Sequence, residues 1–311
     1  MSSWATAHAP PSIGNVAVGF DVLGQAVDGP GDRVTVRRAE GGAVRITAIR
    51  GVVTALPLEA DQNTAGRALK ALLATAQPGF GLDVEIHKGI PLGSGMGGSA
   101  ASAVAALVAA NAVLPKALPL TVLYELAKEG EAAASGSRHG DNVAPMLLGG
   151  VTIAPETGAP VSVPVPASLW CAVVHPHFVL ETRRAREALR GSYALHDFVR
   201  QSEHLALVLT GLFTNDLDLI RRGLTDILIE PRRAALIPGF PGVKAAALAT
   251  GALGASISGA GPSVFAWADG RAAAERAGAA MAEAFRAAGQ AADVLVSPVA
   301  GPAAKVEACG A

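Results

Sequence analysis

The segment from Pro91 to Ser102, "PLGSGMGGSAAS", packs four glycines and three serines into twelve positions and runs directly into the apolar "AVAALVAAN". Gly93, Gly95, Gly97 and Gly98 free the backbone to take up positive φ and to present N–H groups to an anion without a Cβ in the way. The helix expected to follow leaves its first amides unpaired and adds a positive dipole end there. Ser99 and Ser102, in the expected first turn, carry hydroxyls suited to phosphate oxygens or to a magnesium ion. Pro91, Ser94 and Met96 complete the loop. The segment lacks the G-K-[ST] ending of a Walker-type loop, so a cation for phosphoryl chemistry has to come from Lys88, from a distant arginine or from a metal. Two plainer readings compete at this point: a Gly/Ser linker ahead of a core helix, and Lys88 as a strand-end surface residue.

The elements around the loop decide between these readings. "GLDVEIHKGI" alternates at Leu82, Val84 and Ile86 as a strand does, and the run 100–114 reads as a buried helix, so the loop joins a strand to a helix and phosphate is favoured. Upstream, "RVTVRR" and "AVRITAI" flank Gly41-Gly42 as a hairpin would, and Leu69, Leu72 and Leu73 place a helix over 62–76. A helix over 121–134 ends at Ser135-Gly136, and two proline-broken edge strands follow it. Pro164 and Pro166 mark a boundary between lobes of residues 1–166 and 167–311. The second lobe reads as a buried strand "LWCAVVHP", helical stretches to about 229 and a helix over 243–250. Strands near 254–258 and 263–267, a helix over about 271–288 and a closing strand "ADVLVSP" complete it. Both lobes mix helices and strands, giving an α+β, two-lobed α/β protein.

The chain has 311 residues, half of them apolar, enough to bury a sizeable core. Its 25 basic and 26 acidic residues leave a formal charge of −1 without long runs of either sign, which argues against nucleic acid or an anionic membrane as partner and favours a small molecule. Cys171 and Cys309 make neither a disulfide framework nor a thiolate metal site, and "MSSWATAHAPPS" has no secretory pattern, so the cytoplasm is the expected compartment. No apolar run reaches the length of a membrane span.

Three blocks, in order, resemble the signatures of the GHMP kinases. The loop matches their P-x3-G-[LM]-G-[SG]-S-A-A-S block. "PPSIGNVAVGFDVLGQAVDGPGD" is similar to the opening block of the branch that phosphorylates L-homoserine. "GALGASISGAGPSVFAW" is similar to the third, glycine-rich block, which contributes Gly259 and Gly261 beside the phosphates. "SRHGDNVAPMLLGG" and "EPRRAALIPGF" resemble the same branch. The resemblance implies an N-terminal lobe like ribosomal protein S5 domain 2 and a ferredoxin-like C-terminal lobe. It implies ATP as donor, Mg2+ as the metal held by Ser99 and Glu131, and L-homoserine as acceptor; relatives are often homodimers. Spacing to the H-x-D-N motif singles out Glu131, since periodicity alone does not separate it from Glu129 or Glu125.

For the acceptor the resemblance points to Asn15, Asp21, His139, Asn142, Arg186 and Arg233. Asp21 is suited to an ammonium, an arginine fork to a carboxylate, and an Asn amide to a hydroxyl. Arg183 and Arg184 compete with Arg186 for that role. Asn142 stands where several relatives have an aspartate base, so the resemblance implies in-line transfer to the hydroxyl with no dedicated strong base. Two departures from the family pattern stand out: Gly98 replaces a second serine, and Gly140 takes the slot often filled by proline, which is expected to loosen that loop. His175 and His177 read as structural histidines. A GHMP kinase for another small alcohol, such as mevalonate or a sugar, and a non-catalytic sensor on the same fold are the alternatives.

Overall fold

The structure is a computed structural model that describes residues 2–135 and 138–310. The chain opens with β1 (Trp4–Ala9), β2 (Ser12–Gly14), β3 (Leu23–Ala26), β4 (Asp32–Ala39), β5 (Val44–Gly51), α1 (Thr64–Ala76) and β6 (Gly81–Lys88). There follow α2 (Gly98–Val113), α3 (Leu120–Ser135), α4 (Val143–Leu148), β7 (Val151–Ile153), β8 (Val161–Val163) and β9 (Leu169–Pro176). Next come α5 (Thr182–Glu187), α6 (Leu195–Thr214), α7 (Leu217–Gly223), α8 (Glu230–Arg233) and α9 (Phe240–Ala249). β10 (Gly254–Ile257), β11 (Val264–Asp269), α10 (Arg271–Ala287), β12 (Ala292–Pro298) and β13 (Lys305–Gly310) complete it. The expected helix stop at Ser135-Gly136 falls partly on Gly136, which lies outside the described residues.

Among the described residues the strands form three sheets, ordered β13-β1-β4-β6-β5, β2-β3-β7-β8 and β10-β11-β9-β12. The first corrects the hairpin expected around Gly41-Gly42. Both strands exist, but β6 lies between them, antiparallel to β4 and parallel to β5. The link from β4 to β5 passes over the start of β6, where a Cβ on Gly81 would sit 2.5 Å from the Ala43 carbonyl oxygen. Local alternation reports that a segment is extended, and says nothing of which strand it pairs with. β7 pairs on both sides, with β3 and β8, so only β8 of the two expected edge strands is an edge. Four strands were not foreseen: β1, β2, β3, and β13, which pairs with β1.

α2 fixes the site. Apolar almost all round, it has to be buried on every side, and Ala100, Ala101, Ala103, Ala105, Ala106, Ala109 and Ala110 are all inaccessible. Its methyl groups meet the equally small Ala5, Ala7 and Ala9 on the inner face of β1 and Val34 and Val36 of β4, with α1 and α3 on its flanks. Small against small lets helix and sheet approach closely, and this holds the α2 N-terminus at the cavity. The third sheet packs α9 and α10 around Val174, Val243, Ile257, Val264 and Phe285 as a second core. No helix among the described residues is long and apolar enough to cross a membrane.

Candidate active site

The loop before α2 is built on three left-handed glycines, Gly93 (φ 59°), Gly95 (φ 78°) and Gly97 (φ 71°). Positive φ at these three positions is as expected, but the space that a Cβ would fill there is occupied by protein and is not kept open for a phosphate. A Cβ on Gly95 would stand 2.6 Å from the Ser258 carbonyl oxygen and 2.7 Å from that of Gly261, and one on Gly97 would overlap the Ser12 hydroxyl. Cross-bonds fasten the loop to both neighbouring blocks. Ser258 Oγ donates to Gly95 O (2.7 Å), Ser263 N to Ser94 O (3.1 Å) and Ser12 N to Met96 O (3.1 Å). Gly97 is the N-cap of α2 and has no side chain to cap the helix's first amides.

Beneath this turn, Lys88 is engaged elsewhere than the phosphate role offered to it. It is buried, and its ammonium donates to Asp32 Oδ2, to Gly98 O (2.7 Å) and to Ser102 Oγ (2.9 Å). Ser102 donates in turn to Asp32 Oδ2 (2.6 Å), whose other oxygen accepts from the Gly89 and Ile90 amides at 3.0 and 3.3 Å. Three donors are thereby spent on tying the strand end, the loop and α2 together. Asp32 was invisible to the sequence reading, where a strand-opening aspartate looks like a solvated one.

At the other end of the cavity, residues 15–21 form a strained turn in which Asn15, Val16, Ala17 and Asp21 all have positive φ, at 72°, 43°, 59° and 58°. Asn15 Nδ2 donates to Gly259 O (2.9 Å), and Asn15 Oδ1 accepts from the Asp21 amide (3.0 Å). Arg186 grips the Asp21 carboxylate with two hydrogen bonds, and His139 Nε2 lies 3.5 Å from it. Arg183 instead pairs with Glu187 on the exposed side of α5. Arg233, buried, donates to Gly259 O (2.9 Å) and Ala185 O (3.3 Å). The Phe20 ring lies against both guanidinium groups, 5.6 Å from Arg186 Cζ and 5.3 Å from Arg233 Cζ.

Between these ends stand Asp141 and Asn142. Ser12 Oγ donates to Asn142 Oδ1 (2.7 Å), which turns Asn142 Nδ2 towards Asp141 Oδ1 (3.4 Å). Burial, reinforced by the Asp21 charge, pushes the Asp141 carboxyl up to about 7, and burial beside Asp141 pushes Glu131 up to about 7 as well. Burial also lowers the His139 imidazole. Asp141 and Ser12 were missed in the sequence, although both sit inside the quoted blocks. Gly140 does not loosen its loop: any Cβ there would overlap the Tyr124 hydroxyl, so the tyrosine fills the space that a larger residue would take.

These side chains line one cavity of about 530 Å³. Asn15, Asp21, Lys88, Pro91, Gly93, Ser94, Gly95, Gly97, Gly98, Ser99, Ser102, Glu131, His139, Asn142, Arg186, Arg233 and Gly259 all face it, as do Phe20, Asp141 and, at its edge, Arg183. Met96 and Gly261 do not: Met96 is core, and Gly261 backs Gly95. His175 bonds Ser263 Oγ (3.1 Å) and His177 bonds Asp293 (2.9 Å), away from the cavity.

The architecture agrees with that of known proteins. The GHMP kinases N terminal domain model matches residues 63–150 and the GHMP kinases C terminal model residues 208–287. A homoserine kinase of Xanthomonas campestris pv. campestris is 58% identical over 304 residues, covering 97% of this chain and 94% of that protein. The chain belongs to the homoserine kinase family of GHMP kinases. The crystal structure of the homoserine kinase from Cytophaga hutchinsonii, 42% identical, superposes with a TM-score of 0.93 over 98% of each chain. L. major mevalonate kinase in complex with R-mevalonate, 14% identical over 97% of this chain and 100% of its own, shares the fold at a TM-score of 0.66. Among GHMP kinases the Gly140 and Gly98 departures thus have local explanations here: Tyr124 occupies the first position, and a Cβ at Gly98 would press on Ile90 at 3.2 Å.

Proposed function

We propose that the protein transfers the γ-phosphoryl group of ATP to the side-chain hydroxyl of L-homoserine, yielding ADP and O-phospho-L-homoserine on the route to threonine. Arg233 carries this reading. It is a guanidinium only 3% exposed that bonds two carbonyl oxygens and, among the described residues, pairs with no carboxylate. A buried cation without a counter-ion is costly, and an acceptor bearing a carboxylate supplies one. Asp21 offers the opposite charge to an ammonium. L-Homoserine presents both groups and a hydroxyl, whereas mevalonate lacks the ammonium and a sugar lacks both.

The free amides at the start of α2 are suited to the phosphates of the nucleotide. Ser99 and Glu131 are hard oxygen donors facing the cavity, and the upward shift of the Glu131 carboxyl marks a site where a cation would favour its ionised form, so the pair fits magnesium. Bound there, magnesium would neutralise charge on the transferring phosphoryl group. Asn142, its amide set by Ser12, orients the hydroxyl for in-line attack; the new O–P bond forms as the bond to ADP breaks. The hydroxyl proton leaves late in such a loose transition state, to an oxygen of the transferred phosphoryl group and from there to solvent, so alignment does more than a strong base would. Asp141 serves as acceptor for the Asn142 amide.

Magnesium-dependent ADP release with L-homoserine, mevalonate, galactose and no acceptor tests this reading. Turnover with L-homoserine alone is expected. ADP release with mevalonate or galactose in its place overturns the substrate, and nucleotide binding without turnover of any acceptor points to a sensor.

A further inference from the structure

Behind the acceptor end runs a buried chain of polar groups through residues that carry no sequence signal. Asp226 accepts from the Leu228 and Ile229 amides at Oδ1 (2.9 and 3.0 Å) and from the Glu230 amide at Oδ2 (2.8 Å). It thereby ties the turn before α8 to that helix's first amide, α8 being a helix of four residues whose last member is Arg233 and far too short to be stable by itself. Gln201 of α6 grips Asp226 from the other side. Its Nε2 donates to Asp226 Oδ1 (3.1 Å) and to the Val18 carbonyl (3.4 Å), and its Oε1 accepts from the Ile227 amide (3.0 Å).

Val18 belongs to the strained turn 15–21, whose left-handed residues, above all the β-branched Val16, persist only where surrounding bonds hold them. Asn15 is held at Gly259 O, the same oxygen that receives Arg233. The bonds therefore close a ring, from the turn through Gln201, Asp226, α8, Arg233 and Gly259 back to Asn15. Nearby on α6, Leu195, Phe198 and Val199 are exposed while the amide of Gln201 is buried, the reverse of ordinary apolar partitioning. Polar bonding, rather than apolar area, thus accounts for the burial of Gln201.

We infer that Gln201, acting through Asp226, is a positioning residue that fixes the spacing between the turn bearing Asp21 and the helix bearing Arg233. The two sides of the pocket, to which the acceptor reading assigns an amino acid's ammonium and carboxylate, are thereby held at a fixed separation. What the spacing serves rests on the acceptor reading above; the ring itself does not.

The test uses Gln201→Met, which keeps chain length and helix propensity but removes the three bonds, together with Asp226→Asn, which alters only that tie and its partner. For Gln201→Met, KM for L-homoserine rises about tenfold while KM for ATP stays within about twofold. Amide hydrogen exchange at Val18, Gly19 and Asp21 accelerates about tenfold, with α2 unchanged. Asp226→Asn moves the same quantities by less, and carries the test alone if Gln201→Met does not fold. An acceptor KM within about twofold of wild type overturns the inference, as does a joint rise of both KM values with faster exchange throughout, which marks general loosening. Should the wild-type protein leave L-homoserine untouched, the substrate reading falls, and exchange alone then decides the ring: acceleration confined to the turn supports it and unchanged exchange refutes it.

Discussion

Arg186 and Asp21 face each other through two parallel hydrogen bonds, Nη1 to Oδ2 at 3.1 Å and Nη2 to Oδ1 at 3.0 Å, across 165 residues of sequence. The fork belongs to arginine alone, because lysine supplies a point charge without the paired geometry. Arg186→Lys is expected to raise KM for the acceptor about tenfold and Arg186→Gln about a hundredfold, with KM for ATP unchanged. Steady-state kinetics with each substrate varied in turn checks this, and equal effects on both substrates would contradict it.

The Ser12–Asn142 bond joins two buried or nearly buried groups at 2.7 Å and sets which way the amide points. Ser12→Ala removes the constraint and is expected to lower kcat about tenfold, the worth of one buried hydrogen bond. Asn142→Asp places a second carboxylate beside Asp141 and lowers activity further. If the Asn142→Asp variant turned over faster than wild type, the amide's positioning would not be what matters.

Asp141 makes stability depend on pH in a stated direction. Its folded carboxyl titrates at about 7, above the ordinary range, so between about pH 4 and 7 the folded protein holds a proton that the unfolded chain has released. This contribution is fully present below about pH 4 and is lost as pH rises through about 7. Asp141→Asn deletes this contribution and relieves Glu131 of a neighbouring charge, so the variant's melting temperature relative to wild type should climb from pH 4.5 to pH 8. A flat difference across that range would exclude Asp141 as the source.

Gly140 and Tyr124 occupy the same space from two directions. Gly140→Ala forces them apart and is expected to cost about 2–3 kcal/mol, as overpacking of a closed site does. In the double variant Gly140→Ala/Tyr124→Leu the smaller side chain accepts the methyl group, and the combined loss falls short of the sum of the two single losses. Urea denaturation of the four proteins measures the coupling; strict additivity would mean that the two residues do not contend.

The strand–loop–helix end of the cavity was legible because it is written as a local pattern: glycines at fixed offsets between an alternating strand and an alanine-rich helix. The partners that hold this pattern in place were not. Asp32 and Lys88 lie 56 residues apart, and neither announces its burial in its own neighbourhood. β1 escaped because "WATAHA" is half alanine, a composition dictated by α2 lying against it rather than by strand propensity. The pairing of β4, β6 and β5 escaped for a related reason, since a short Gly-Gly link flanked by alternating residues reads the same whether its strands touch or enclose a third. Arg186 could be told from Arg183 only once α5 had a fixed rotation over Asp21.

The return of β13 to β1 bears on how the molecule is assembled. Trp4 leaves the ribosome long before its register partner Gly310. One border of the sheet that supports α2 therefore stays open, its backbone unpaired, while every element between β1 and β13 is being made. The sheet is thus completed only after the second lobe has been made, and a fragment ending near residue 166 carries the glycine-rich loop on an unfinished platform.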